Sequence, residues 1–141
     1  MEQFAEFVVD QWLLFIFLVI IIVLITRTWV QPMLSGVKEL PIQDAIRFMN
    51  QNDAVVLDVR IEKEYDEGHI KNAIHIPVGT LEARAQELEK YKSAPILISC
   101  QSGNRSRQAY QALNKHGFTQ LSCLAGGINA WINANLPITK K

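Results

Sequence analysis

Cys100-Gln101-Ser102-Gly103-Asn104-Arg105-Ser106 is the stretch that decides how the rest of the chain is read. An apolar run, Pro95-Ile96-Leu97-Ile98-Ser99, precedes it and predicts a buried strand. The segment from Ser106 to Gly117 follows it and predicts a helix ended by glycine. A cysteine therefore stands where a strand gives way to a tight loop and then to a helix start. Such a loop aims backbone N–H groups and the positive end of the helix at one sulfur. A cradle of that kind makes and holds a thiolate.

Working outward, the chain of 141 residues is too short for two ordinary domains, but its composition divides it. No charge lies between Asp10 and Arg27, and with the apolar flanks the predicted span is close to the length of a bilayer core. Trp12 and Trp29 suit its two interfaces. A buried helix of this size in a globular domain would show a polar face, and this one shows none. A cleaved signal peptide would begin with basic residues. Here Glu2, Glu6 and Asp10 come first, and no small-residue cleavage site follows. The expectation is one transmembrane helix, a permanent anchor over 1–30. Arg27, Lys38 and Arg47 flank only its C-terminal side, which predicts a single-pass protein of the cell (inner) membrane with its C-terminal part facing the cytoplasm.

Residues 31–36 read as a linker, 37–138 as one domain and 139–141 as a tail. The whole chain balances 14 Lys and Arg against 14 Asp and Glu. Setting aside Arg27, Glu2, Glu6 and Asp10 leaves a net +2 beyond the anchor, no electrostatic footprint for nucleic acid. Cys100 and Cys123 form no CxxC pair, and His69, His75 and His116 are scattered, so no metal site and no cofactor are expected.

Strand and helix signals alternate across the domain. Val37–Leu40, Ala54–Asp58, Ala73–Ile76, Pro95–Ser99 and Leu121–Leu124 read as strands. Pro41–Gln51, Thr80–Tyr91, the segment from Ser106 and Ile128–Asn135 read as helices, and 59–71 as a loop or short helix. The fold class expected is α/β: a small parallel sheet of about five strands with helices on both faces, preceded by the transmembrane helix. Ligands of such sheets sit at the carboxyl ends of strands. Asp58-Val59-Arg60, Cys100 and Ala125-Gly126-Gly127 all fall there.

Three separated stretches, in order and spacing, resemble the rhodanese-like domain family. Asp58-Val-Arg-Ile-Glu-Lys-Glu-Tyr-Asp-Glu-Gly-His-Ile-Lys-Asn-Ala-Ile-His-Ile-Pro77 is similar to its first signature, Cys100–Ser106 to its active-site loop, and Leu124-Ala-Gly-Gly-Ile-Asn-Ala-Trp131 to its closing signature. The resemblance covers the C-terminal part and leaves the anchor outside. It implies a sulfurtransferase that moves sulfane sulfur from a donor such as thiosulfate or a persulfide to a thiol acceptor through a Cys100 persulfide. Its partners would be a small-molecule or protein sulfur donor and a thiol acceptor.

Cys100 is the expected catalytic residue, and Gln101, Ser102, Gly103, Asn104, Arg105 and Ser106 the substrate-binding loop. Gly103 lets the backbone fold inward. Arg105 is placed to orient an anionic donor or the loop itself, and Ser106 to cap the helix. Asp58 and Arg60 brace the loop edge, with Glu64 and Glu67 as candidate partners for Arg60. Cys123 and Trp131 read as core, and His69 and His75 as packing or strand-edge groups. A Cys-dependent phosphatase is the alternative enzyme, but Cys-x4-Arg is one residue shorter than the phosphatase Cys-x5-Arg loop, and no aspartate is recognisably placed as leaving-group acid. A membrane-tethered interaction module is the alternative class, with the lipid bilayer and a second membrane protein as partners.

Overall fold

The structure is a computed structural model that describes residues 11–34 and 36–141. The N-terminal flank of the expected anchor, 1–10, and the side chain of Trp29 lie outside the described residues. The chain forms two compact units, Met1–Gly36 and Val37–Lys141.

In the first unit, helix α1 spans Trp12–Leu34. It runs through residues 31–34, which the sequence suggested as linker. The side chains of 12–28 are exposed on every side of it, as expected for a helix with no polar face to turn outward and no core to turn inward. Those seventeen residues measure about 25 Å, and among the described residues no helix is long and apolar enough to cross a membrane. The transmembrane span expected from the sequence thus has no support from the described residues alone.

The second unit is a five-stranded, all-parallel sheet. Its elements run β1 (Glu39–Leu40), α2 (Ile42–Asn52), β2 (Val55–Asp58), α3 (Glu62–Glu67), β3 (Ile74–His75), a helical passage that contains α4 (Leu81–Arg84), β4 (Ile96–Ser99), α5 (Asn104–Lys115), β5 (Leu121–Leu124) and α6 (Gly127–Asn133). The spatial order is β1-β5-β4-β2-β3. The central strands are continuous apolar runs because both of their faces are covered. Along β4, Ile96 and Ile98 enter one core cluster and Leu97 enters the other. The first cluster packs α5 through Ala109 and Leu113; the second packs α2 and α6 through Ala45, Ile128 and Trp131.

The charged segment Thr80–Tyr91, expected as one helix, is a 3-10 turn (Val78–Thr80), one α-turn (Leu81–Arg84) and a longer 3-10 stretch (Ala85–Tyr91). Its apolar stripe is as read: Leu81, Ala85 and Leu88 are buried. The chain does not end in a free tail, since the N–H of Thr139 donates to His69 O and the N–H of His69 to Thr139 O.

In register, Asp58 lies beside Ser99 and His75. The carboxyl ends of β2, β3 and β4 therefore meet at one edge, where Cys100 follows directly.

Candidate active site

Cys100 directly follows β4 with its side chain packed in the cluster of Ile96 and Ile98, and it is 1% exposed. The chain then turns sharply: Gly103 adopts φ +110°, a conformation that side chains rarely accept, and caps α5. Its N–H donates to Cys100 Sγ at 2.9 Å. Of the several amides expected around the sulfur, the described hydrogen bonds include this one. The N-terminus of the twelve-residue α5 follows immediately, and both features favour negative charge on sulfur.

Ser106 is not the helix cap, because α5 begins two residues earlier, at Asn104. It is fully buried inside the first turn. Its hydroxyl donates to Gly103 O at 2.8 Å and accepts from the Cys100 thiol at 3.6 Å. Ser106 thus ties the loop to the helix from within. Its backbone carbonyl accepts the thiol of Cys123 at 3.4 Å. Burial pushes the Cys123 thiol up to about 12, which leaves it an un-ionised core group near neutral pH.

The arginines are paired otherwise than the sequence suggested. Arg60 is bound by Asp58, not by Glu64 or Glu67. Its Nε lies 3.0 Å from Asp58 Oδ1, and one terminal nitrogen reaches both Asp58 Oδ2 and Gly68 O at 2.7 Å. Both residues are nearly inaccessible, at 3% and 1% exposure. The other terminal nitrogen reaches Gln101 Oε1 at 3.3 Å, so this pair braces the loop. Glu64 instead binds Arg105 in a two-bond fork of 2.7 and 2.8 Å. The Arg105 guanidinium hydrogen-bonded to Glu64 holds its carboxyl below the usual range, and Glu64 in turn raises Arg105. Arg107 pairs with Glu39 at 2.6 Å.

Gln101 is held by Arg60 on its oxygen and by Asn129 on its nitrogen, the latter at 2.7 Å. Ser102, in the loop, and Asn104, the first residue of α5, are exposed. Helix α6 clamps the loop from the other side. The N–H groups of Ile128 and Asn129 donate to the carbonyls of Cys100 and Gln101 at 2.8 and 3.2 Å. Gly127 makes that approach possible, because a Cβ there would overlap the Cys100 carbonyl. Tyr65 stacks between His69 and His75, with ring centroids 3.8 and 4.3 Å away. His75 Nε2 lies 2.8 Å from Arg60 O, a strand-edge bond rather than a catalytic one. Among the described residues no cluster of His, Cys, Asp and Glu is arranged to hold a metal.

The sequence therefore located Cys100, Asp58, Arg60 and the loop, and the structure brings them to one edge. It did not find Asn129, Gly127 or Glu39 as loop supports, and it gave Glu64 the wrong arginine.

Most of the chain that carries this buried thiol and its parallel sheet is matched by a family model. The model of the rhodanese-like domain covers residues 42–134. The chain belongs to the rhodanese-like domain family. The uncharacterised protein YibN of Escherichia coli is 31% identical over 141 residues, 99% of each chain. The thiosulfate sulfurtransferase GlpE of Coxiella burnetii is 32% identical over 94 residues, 67% of this chain and 86% of that one. The crystal structure of a rhodanese-related protein from Thermoplasma volcanium superposes with a TM-score of 0.67 and 29% identity, over 74% of this chain and 99% of the other. The likeness of this rhodanese-like chain to YibN, at 99% coverage, runs through α1 as well.

Proposed function

We propose that the chain is a membrane-anchored sulfurtransferase in which Cys100 carries sulfane sulfur as a persulfide. The observation that carries this reading is the Gly103 N–H directed at the buried Cys100 sulfur at the start of α5. A thiolate and a persulfide are both anions, and both gain from an N–H donor and a helix N-terminus, by ~0.3–1 kcal/mol from the dipole and up to ~2 when partly buried. The sulfurtransferase name of the Coxiella relative supports the reaction type. With thiosulfate, Cys100 thiolate bonds to the outer sulfur, the S–S bond of the donor breaks and sulfite leaves. A thiol or cyanide then takes that sulfur and returns the thiolate.

Arg105 weighs against the phosphatase alternative. A phosphate cradle needs its arginine turned to the anion, and both terminal nitrogens of Arg105 are already on Glu64.

The anchor is part of the proposal. The uncharged run 11–26 supports it, lengthened by its apolar flanks Phe7-Val8-Val9 and Trp29-Val30 to about 24 residues, which at ~1.5 Å per residue matches a hydrocarbon core of ~30 Å with some tilt. The span places the domain beside the cytoplasmic surface, within reach of a membrane protein that gives, takes or is scaffolded. Carbonate extraction of membranes tests it: retention in the pellet is expected, and release would reject the anchor.

Intact-mass spectrometry of the purified chain tests the chemistry. Incubation with a sulfane donor is expected to add the mass of one sulfur, removed by cyanide and absent in Cys100→Ser. No gain with any donor would favour the interaction-module alternative.

A further inference from the structure

Arg60, Arg105 and Arg107 are the arginines on or beside the loop, and each faces a carboxylate: Asp58, Glu64 and Glu39. Arg60 is buried and fully engaged, and Arg107 is held against β1. Arg105 is the loop's own cation and is 30% exposed. Its two terminal nitrogens are taken by the two oxygens of Glu64. Glu64 is not a loose surface partner. It sits in the first turn of α3, and its Oε2 also accepts the Ile61 N–H at 3.2 Å. The fork is therefore pre-placed, and an anion approaching the loop meets a pair with no net charge.

That neutrality bears on the donor. When a thiolate attacks thiosulfate, a monoanion meets a dianion, and the encounter needs a nearby cation to offset the repulsion. A persulfide with an uncharged R carries at most one negative charge, and none in the protonated form R–S–SH that a thiolate attacks, so it needs that cation less. Resting on the sulfurtransferase reading above, we infer that Glu64 is a specificity-determining residue: by occupying Arg105 it sets the loop to take sulfur from persulfides with an uncharged R, attacked as R–S–SH, in preference to the thiosulfate dianion. Cys100 Sγ bonds to the outer sulfur of R–S–SH, the donor S–S bond breaks, and its electron pair leaves on R–S⁻. The proton of the outer sulfur passes to R–S⁻, which leaves as R–SH, and Cys100 is left as the persulfide anion. No outside oxidant or reductant is consumed.

The test is single-turnover loading of the full chain, read as the one-sulfur mass gain on Cys100, with thiosulfate and with the persulfide of 2-mercaptoethanol. In the wild-type chain the persulfide is expected to load faster, and the thiosulfate rate is expected to rise as added salt screens the repulsion. Glu64→Gln is expected to raise the ratio of thiosulfate rate to persulfide rate about tenfold, as one uncompensated charge near the mouth would. Its thiosulfate rate should then fall with salt. Glu64→Asp, which keeps the charge, should stay near the wild-type ratio. The ratio cancels any loss of folded protein, and the wild-type salt dependence stands without any variant. A wild-type thiosulfate rate that falls with salt, or a ratio unmoved by Glu64→Gln, would overturn the inference while leaving sulfur transfer intact. Failure of both donors to load Cys100 would overturn the sulfurtransferase reading, and this inference with it.

Discussion

The N–H of Gly103 lies 2.9 Å from the sulfur of Cys100, three residues before it in the chain. That contact exists because Gly103 holds φ at +110°. An alanine there would meet no steric obstacle closer than the Gly126 nitrogen at 3.8 Å, so its cost is conformational, on the order of 1–3 kcal/mol. The backbone can relieve this strain only by rotating the amide away from the sulfur. Gly103→Ala is therefore expected to fold, with a modest loss of stability, and to load sulfur at least about tenfold more slowly. Loading at the wild-type rate, followed by mass spectrometry, would show that the amide does not matter.

Gly127 presents the opposite case, a clash rather than a torsion. A Cβ there would overlap the Cys100 carbonyl and lie 2.7 Å from the carbonyl carbon and oxygen of Gln101, all backbone atoms of the active loop. The Ile128 and Asn129 amides that clamp those carbonyls would be pushed away together. Gly127→Ala is expected to cost about 3 kcal/mol or more, as overpacking against rigid backbone does. Gly79→Ala is the matched control. No atom lies within 4 Å of the Cβ it would add, and its φ is ordinary, so a shift within about 0.5 kcal/mol is expected. Urea midpoints of the two variants make the comparison.

Why the sequence led to Cys100 but not to Gly127's role is physical. A cysteine between an apolar run and a helix signal is a local pattern, and so is the β-branched run that became β2. The strand order and the pairing of α6 with the loop depend on contacts seventeen or more residues apart, which no local pattern carries. Asp58 and Arg60 did leave a signal, since residues two apart on extended chain share a side. Glu64 and Arg105 left none, because α3 and α5 meet only when the sheet is assembled. In Thr80–Tyr91 the apolar stripe was legible. The choice between α and 3-10 hydrogen bonding was not, since short segments of the two patterns bury nearly the same positions.

The Asp58–Arg60 pair predicts a strong coupling. Each charge is nearly inaccessible, so removing one leaves the other buried without a partner, a loss of about 3–5 kcal/mol. Arg60→Gln and Asp58→Asn are each expected to destabilise in that range. The double variant should be more stable than the sum of the two losses by at least about 1.5 kcal/mol. Additive losses in a denaturation cycle would mean that the charges are held separately by Gly68 O, Gln101 and the Arg60 N–H rather than by each other.

Cys123 supplies a prediction that separates the two thiols. Burial holds its proton until about pH 12, while the unfolded chain releases it near the ordinary thiol value of 9.0. Between those values the native state binds more protons than the unfolded state, so stability falls as pH rises, by up to about 1.4 kcal/mol per unit. Below pH 9 the contribution is complete and level. Cys123→Ala should therefore be less stable than wild type at pH 7, through the lost packing and the lost bond to Ser106 O, and should lose less stability between pH 9 and 11. Its Cys100 should still load sulfur at pH 7, within about threefold of the wild-type rate, because the Cys123 thiol bonds to the Ser106 carbonyl and not to the Cys100 sulfur. A Cys123→Ala chain that keeps the full alkaline slope would place the titrating group elsewhere. One that no longer loads sulfur would make Cys123 a participant in the chemistry rather than a member of the core.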